Sequence, residues 1–310
     1  MTFSHRAGKI TYLGKPTDVN IYSANDTQEL LDGLKGCTNH ETVVQRYDLI
    51  DGTIFDEWSG AKSKKAALGM VRHGTDNTEL LKDVKSYLDK ASTAVKVQKY
   101  REITYRPFGS APCVPRLLSG NPNCMILPKK TPVRSRILKV LVDCAVSWYF
   151  TADDYRRIGS LLARAIFDIE QAGYRVRLHV VDVCHNRLEP SKIVCAHVMI
   201  KSETEPINLQ RLLYPISEAS FLRHLGFTTL NRAEGWNERE NPYPTLDGDN
   251  NPEDRKALYE FINGPETVAL RMQNLANVLK RGDIEDVKAL IKMIFDPDVV
   301  DIRPLKDSTN

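Results

Sequence analysis

The sequence predicts an α/β fold, on three observations. Ile137 to Ser147 (ILKVLVDCAVS) is a short apolar run rich in β-branched residues, the pattern of a buried strand. The stretch TADDYRRIGSLLARAIFDIEQAG follows, with Ile158, Leu161, Leu162, Ala165, Ile166 and Ile169 at helical spacing. A second strand-like run, Tyr174 to Cys184, comes directly after it. Strand, crossover helix and strand form a βαβ unit, which makes the two strands parallel.

The ends of these elements are signalled locally. Thr151 is an N-cap residue, Asp153 and Asp154 sit in the first helical turn, and Gly173 is a C-terminal stop. A third run, Lys192 to Ser202, is separated from the second by seven residues. That is too short for a parallel crossover, so the third strand is expected to be antiparallel and at an edge. The expected sheet is therefore mostly parallel, with one antiparallel edge strand and helices around it.

Before this unit, KITYLGKPTDVNIYS reads as two short strands around a Gly-Lys-Pro turn. Asn25 or Asp26 caps a helix over TQELLDGLKG. Two further helices are expected between Ser59 and Ala91, the first stopping at Gly74 and the second starting after Asp76 or Asn77. Residues 1–104 are thus expected to form an N-terminal α+β region. Residues 105–133 hold six prolines, which exclude long helices and central strands. Phe108, Val114, Leu117, Leu118, Met125, Ile126 and Leu127 lie between them, so this segment is expected to be a packed connector. The α/β core is assigned to 134–230, with helices around LQRLLYPI and ASFLRHLGF, and a polar surface loop to 231–254. Residues 255–310 form a C-terminal helical region: a helix from Pro252 to about Leu279, broken near Gly264-Pro265, a second over IEDVKALIKMIF, and a last short strand at VVDIRP.

Composition narrows the class. The 310 residues carry 43 basic and 40 acidic side chains, a net charge of +3. The last 70 residues hold 9 basic and 13 acidic ones, so the body before them is mildly basic. Six dispersed cysteines with no CxxC pair exclude a disulfide framework. The N-terminus has no apolar signal stretch and no run approaches the ~18 apolar residues of a membrane span. The expectation is a soluble protein of a reducing cytoplasm with no membrane partner.

Ligands of α/β sheets bind beyond the C-terminal ends of parallel strands. There the first core strand carries Asp143, then Ala145, Ser147 and Thr151. Alternation puts Asp143, Ala145 and Ser147 on one side of an extended chain. Carboxylate and hydroxyl oxygens suit a hard cation such as Mg²⁺, so Asp143 and Ser147 are candidate metal ligands.

The strand with a terminal Asp, the serine loop, the long amphipathic helix and the two-stranded hairpin resemble a von Willebrand factor A (VWA) domain over about Arg134 to Thr229. That family's metal-ion-dependent adhesion site reads Asp-x-Ser-x-Ser; here the segment is Asp143-Cys144-Ala145-Val146-Ser147, with Ala145 in place of the first serine. The resemblance implies a degenerate Mg²⁺ site, with Thr204, Thr228 or Asp247 as candidates for the family's later ligands. From Trp58 to Ser202 the chain also resembles a family of uncharacterised proteins of tailed bacteriophages and related mobile elements. It shares their Gly-x-Pro-x-x-Met segment, here Gly120 to Met125. This resemblance implies a phage-type origin and the cytoplasm of a host cell, and assigns no activity.

Other constellations are weighed beside these. Cys184, His185, Cys195 and His197 are zinc-type residues, but their spacing is not that of a paired knuckle. Asp143 and Asp182 are expected near the ends of parallel neighbours, and Glu203 at the opposite end of the sheet. Arg156, Arg157, Arg175 and Arg177, with Lys62, Lys64 and Lys65, are candidate phosphate contacts. Pairing of the arginines with Asp153, Asp154 and Glu170 is the structural alternative.

No Walker loop, Rossmann glycine pattern or nucleophile elbow is present. The leading expectation is a non-enzymatic interaction protein of phage type, docking another protein around Asp143 and Ser147. The alternatives are a nucleic-acid-associated phage protein and a self-associating virion or assembly component.

Overall fold

The computed structural model describes residues 4–35, 60–61, 64–94, 102–129, 136–147, 150–185, 191–227, 229, 252–279 and 284–295. The βαβ unit is present as β6 (Arg136–Asp143), α5 (Ala152–Gln171) and β7 (Tyr174–His185), with β6 and β7 parallel. Thr151 caps α5 through a capping box. Its Oγ1 accepts from the Asp154 amide at 3.1 Å, and the Asp154 carboxylate accepts from the Thr151 amide at 3.0 Å.

At the N-terminus, β1 (Ser4–Tyr12) and β2 (Lys15–Ala24) form an antiparallel hairpin. Leu13 and Gly14, both at positive φ, make its two-residue turn. The hairpin joins the sheet of the βαβ unit. With β8 (Lys192–Lys201) and β9 (Thr267–Arg271) it completes a six-stranded sheet of order β1-β2-β8-β7-β6-β9. The pairs β2–β8, β7–β6 and β6–β9 are parallel, and β1–β2 and β8–β7 antiparallel, so the sheet is mostly parallel.

Two expectations need correction. β8 is antiparallel to β7 as expected, but it is not at an edge, because β2 pairs along its other side. Strand β8 is buried along most of its length, as an interior strand should be. The second correction is the helix expected from Pro252 to Leu279. It is interrupted by a strand: α7 (Pro252–Asn263) ends at Gly264, φ +88, then β9 pairs with β6, and α8 (Met272–Val278) follows. The break near Gly264 was visible, but the β-branched start of TVALR lies between two helical patterns.

One face of the sheet carries most of the helices: α1 (Thr27–Lys35), α2 (Lys64–His73), α3 (Thr78–Ala94), α5, α6 (Leu209–Ser217), a π-helix (Phe221–Gly226), α8 and α9 (Ile284–Phe295). Among the described residues, the other face is covered by α7 through Leu258, Tyr259 and Ile262. Asp26 caps α1 and Asn77 caps α3, each accepting a backbone amide.

The proline segment departs from expectation. It forms a separate three-stranded sheet, β3 (Glu102–Arg106), β5 (Met125–Lys129) and β4 (Ala111–Pro112), with a short helix α4 (Val114–Leu118) between β4 and β5. No residue from Tyr105 to Leu127 is buried. Among the described residues the expected packing of this connector is not found: its strands pair with one another in a sheet of their own. The last-strand expectation at VVDIRP, and 231–251 of the expected surface loop, lie outside the described residues.

Helix α5 is closely approached by α6 at Gly159, where an added Cβ would run into the Ile216 carbonyl and Ser217. Overpacking of this kind costs about 1–3 kcal/mol. Gly159→Ala is expected to lower the melting temperature by several degrees in a thermal-unfolding comparison with wild type.

Candidate functional site

The carboxyl ends of β6 and β7 place Asp143 and Asp182 on paired strands, next to the Asp143↔Val181 register position. The two carboxylates do not converge. Leu141 shares a cluster with α7, whereas Val180 belongs to the cluster under α5. Alternation therefore turns Asp143 toward α7 and Asp182 toward the helical face.

Asp143 is fully buried and its carboxylate is engaged. Oδ1 accepts from the Ala145 amide at 3.0 Å and Oδ2 from the Tyr259 hydroxyl at 2.5 Å. Arg271, opposite Asp143 in the β6–β9 register, approaches Oδ2 with Nε at 3.9 Å. Burial pushes the Asp143 carboxyl above the usual range, opposed by Arg271, the Tyr259 and Ala145 hydrogen bonds and Arg255. Arg255 and Tyr259 are four residues apart on α7, one helical turn, so the same face serves both.

Ser147 is half-buried, and its amide donates to Gln273 Oε1 of α8 at 3.0 Å. The residues present do not fit the Mg²⁺ ion that the adhesion-site motif implies. The carboxylate is shut off from solvent and already satisfied, a guanidinium stands beside it, and Ala145 offers no ligand oxygen. Of the candidates for the later ligands, Thr228 and Asp247 lie outside the described residues. Thr204 hydrogen-bonds with Ser202 just beyond β8, at the far end of the sheet from Asp143.

Asp182 is 1% exposed and neither oxygen has a hydrogen-bond partner among the described residues. A Cβ placed on Gly226 of the π-helix would come within 2.8 Å of its Oδ2, so the carboxyl lies against that backbone. Burial, and then the neighbouring Asp143, push its pKa well above the ordinary value. The same surroundings raise the Cys144 thiol and the Tyr155 hydroxyl, both fully buried. Tyr155 donates to the Cys144 carbonyl at 3.1 Å, and Arg223 donates to the Phe150 carbonyl. Glu203 lies at the other end of the sheet, held bidentately by Arg177, which lowers its pKa to about 2.

The zinc-type residues are not assembled. Cys195 belongs to the cluster under α7, and Cys184 packs on the opposite face with Tyr22, Val194 and Ala196. His179 and His197 stack at 4.7 Å. Burial lowers their pKa values to about 3 and about 4, with His197 adding to the shift at His179. Among the described residues, no three His, Cys, Asp or Glu side chains are placed to hold a metal ion.

The candidate phosphate contacts fall apart in space. Arg156 and Arg157 begin α5, near the carboxyl end of β6, while Arg175 and Arg177 begin β7 at the other end of the sheet. Each is paired with a carboxylate: Arg156 with Asp153 and Glu218, Arg157 with Asp154, Arg175 with Glu170 and Arg177 with Glu203. Lys65 is exposed at the start of α2; Lys62 and the side chain of Lys64 lie outside the described residues. The site residues that sequence reasoning missed are Tyr259, Arg271 and Arg255, which come from α7 and β9.

A family model, a domain of unknown function (DUF7192), matches residues 14–245, most of the chain. The chain belongs to this family. The match starts at Gly14, just before β2, and takes in the small sheet and the whole βαβ unit. No curated protein and no solved structure matches the chain. No helix among the described residues of this DUF7192 protein is long and apolar enough to cross a membrane.

Two measurements probe the carboxyl end of the sheet. Between the ordinary aspartate value of 3.8 and the raised value of Asp182, the folded protein holds a proton that the unfolded chain releases. Stability therefore falls as pH rises through that window. Asp182→Asn is expected to flatten this fall, so the melting-temperature gap between variant and wild type opens from pH 4 to pH 8. Separately, Tyr259→Phe removes a hydrogen bond to buried Asp143 and is expected to cost about 1–3 kcal/mol in denaturant unfolding.

Proposed function

We propose that this DUF7192 chain is a non-enzymatic protein–protein interaction module, and that the small β3–β5–β4 sheet with α4 meets the partner. One observation carries this: Phe108, Val114, Leu117 and Leu118 are 69%, 58%, 52% and 82% exposed on a segment of about thirty residues. Scattered exposed apolar residues are ordinary, but four large ones on one small element mark an interaction surface. The carboxyl end of the large sheet serves this role less well, because Asp143 is buried and engaged there.

The chemistry of the segment selects the partner. Residues 105–133 contain Arg106, Arg116, Lys129 and Lys130 and no acidic residue. Arg116 stacks its guanidinium over the Tyr105 ring at 3.9 Å, which leaves its charge beside the apolar helix. A partner presenting apolar side chains flanked by carboxylates matches this surface. A second copy docking patch to patch would set basic residues against basic residues.

A phage-type origin and a VWA-like scaffold belong to the same proposal. Their support is the Asp143-x-Ala145-x-Ser147 segment at the end of β6, and the Gly120 to Met125 segment, where Gly120 turns the chain at φ +71 into β5.

The test is fluorescence anisotropy with a labelled amphipathic peptide bearing Leu on one face and Glu on the other. Wild type is expected to bind it in a salt-dependent manner, and to ignore a matched peptide with Lys in place of Glu. The double variant Leu117→Ser/Leu118→Ser is expected to weaken binding at least tenfold with the melting temperature unchanged, since neither side chain is buried. Equal binding by variant and wild type refutes the assignment.

A further inference from the structure

We infer that Cys113 and Cys124 form a reversible disulfide site, a redox staple across the small sheet. In the β4–β5 register Ala111 faces Ile126 and Pro112 faces Met125. One further step sets Cys113 opposite Cys124, and the Cys113 amide donates to the Cys124 carbonyl at 2.6 Å. Cys113 is itself extended, with φ −81 and ψ 101. Directly opposed residues of an antiparallel pair stand about 4.5–5.5 Å apart at Cα, with side chains on the same face of the pair. Disulfides span about 4.4–6.8 Å at Cα, most often about 5.5–6 Å. The opposed register therefore brings the two Cα atoms within the span of a disulfide.

Access separates these two from the other described cysteines. Cys144, Cys184 and Cys195 are fully buried, whereas Cys113 and Cys124 are partly exposed. The segment also has a physical use for a staple. It buries no residue from Tyr105 to Leu127, and a small element without a core relies on cross-links or partners for order. A Cys113–Cys124 bond closes a ring around α4 and so fixes Val114, Leu117 and Leu118 against β5. If the proposed function holds, on which this consequence rests, oxidation strengthens partner docking.

The chemistry is thiol–disulfide exchange with oxidised glutathione. One cysteine thiolate attacks a glutathione sulfur, the glutathione S–S bond breaks, and one glutathione leaves as the thiol. The second cysteine thiolate attacks the protein sulfur of the mixed disulfide and expels the second glutathione. Two electrons pass from the protein to glutathione, and the two thiol protons end on the two glutathione thiols. Reduction by a dithiol reverses the step.

The experiment equilibrates the full-length chain with glutathione at a series of reduced-to-oxidised ratios, blocks free thiols and digests without reductant. Trypsin cuts after Arg116, between the two cysteines, so the bond appears as a linked pair of peptides. The expected result is that pair at oxidising ratios, its loss on adding dithiothreitol, and its absence in Cys113→Ser and in Cys124→Ser. Recovery of both cysteines as free thiols or as separate glutathione adducts at the oxidising end overturns the site. The same oxidised and reduced samples are then titrated with the Leu/Glu peptide. Several-fold tighter binding by the oxidised chain is expected, and equal affinity overturns the regulatory consequence. Absence of peptide binding in both states refutes the proposed function, while the peptide map still decides the disulfide.

Discussion

The burial of α5 is the constraint on which the rest of the architecture depends. This helix lies on β6 and β7 and is itself covered by α3, α6, α8 and α9, so most of its circumference is inside the protein. Each fully buried Leu or Ile contributes roughly 1.5–3 kcal/mol, and α5 buries five of them. Polar ties then fix how the neighbours sit. Arg164 pairs with Asp83 and Tyr87 donates to Asp168, both residues of α3. Glu170 receives Lys201 at 2.5 Å, which joins the end of α5 to the end of β8. That Lys201–Glu170 pair is almost wholly buried, so losing either partner strands a charge in the interior.

The same packing turns the carboxyl end of the sheet inward. In an open α/β sheet this is the usual ligand position. Here the β6–α5 loop is held by Gln273, Asp143 by Tyr259, and Phe150 by Arg223. Polar groups at this end thus hold the protein's own elements together. Asp182 is the exception: it is buried against Gly226, has no donor among the described residues, and feels the charge of Asp143 across the sheet. Such a group persists because proton uptake is cheaper than ionisation there.

What the sequence made legible was local. The β1–β2 hairpin, the capped α5 and the β6–β7 pair follow from turn residues, a capping box and periodicity within a few residues of each element. The partners of Arg156 and Arg157 were legible for the same reason, since Asp153 and Asp154 lie three residues away. What was not legible came from distant chain. β2 lies far upstream of β8, so no local pattern announces that it takes β8 off the edge. Tyr259 reaches Asp143 across 116 residues, and the motif at Asp143 says nothing of it. The proline segment misled in another way. Its apolar residues suggest burial by composition, whereas prolines at 107, 112, 115, 122 and 128 interrupt it, and its short strands pair with one another in a separate sheet.

Two kinds of stability therefore meet in one chain. The large sheet is held from both faces by non-local packing, with interior strands that are buried along most of their length. The small sheet has backbone ladders, a stacked Arg116–Tyr105 pair and no buried side chain among residues 105–127. Elements with few buried contacts open most easily, and surfaces that must change with conditions are drawn from them. A cross-link closes a ring of fixed length by the same entropy wherever it is placed, but its effect on order is greatest where nothing else supplies order. In and beside the large sheet the described cysteines, Cys144, Cys184 and Cys195, are buried and shut away from oxidant. In the small sheet a single bond between Cys113 and Cys124 would determine how the exposed leucines are presented, which ties the chemistry of the environment to the display of that surface.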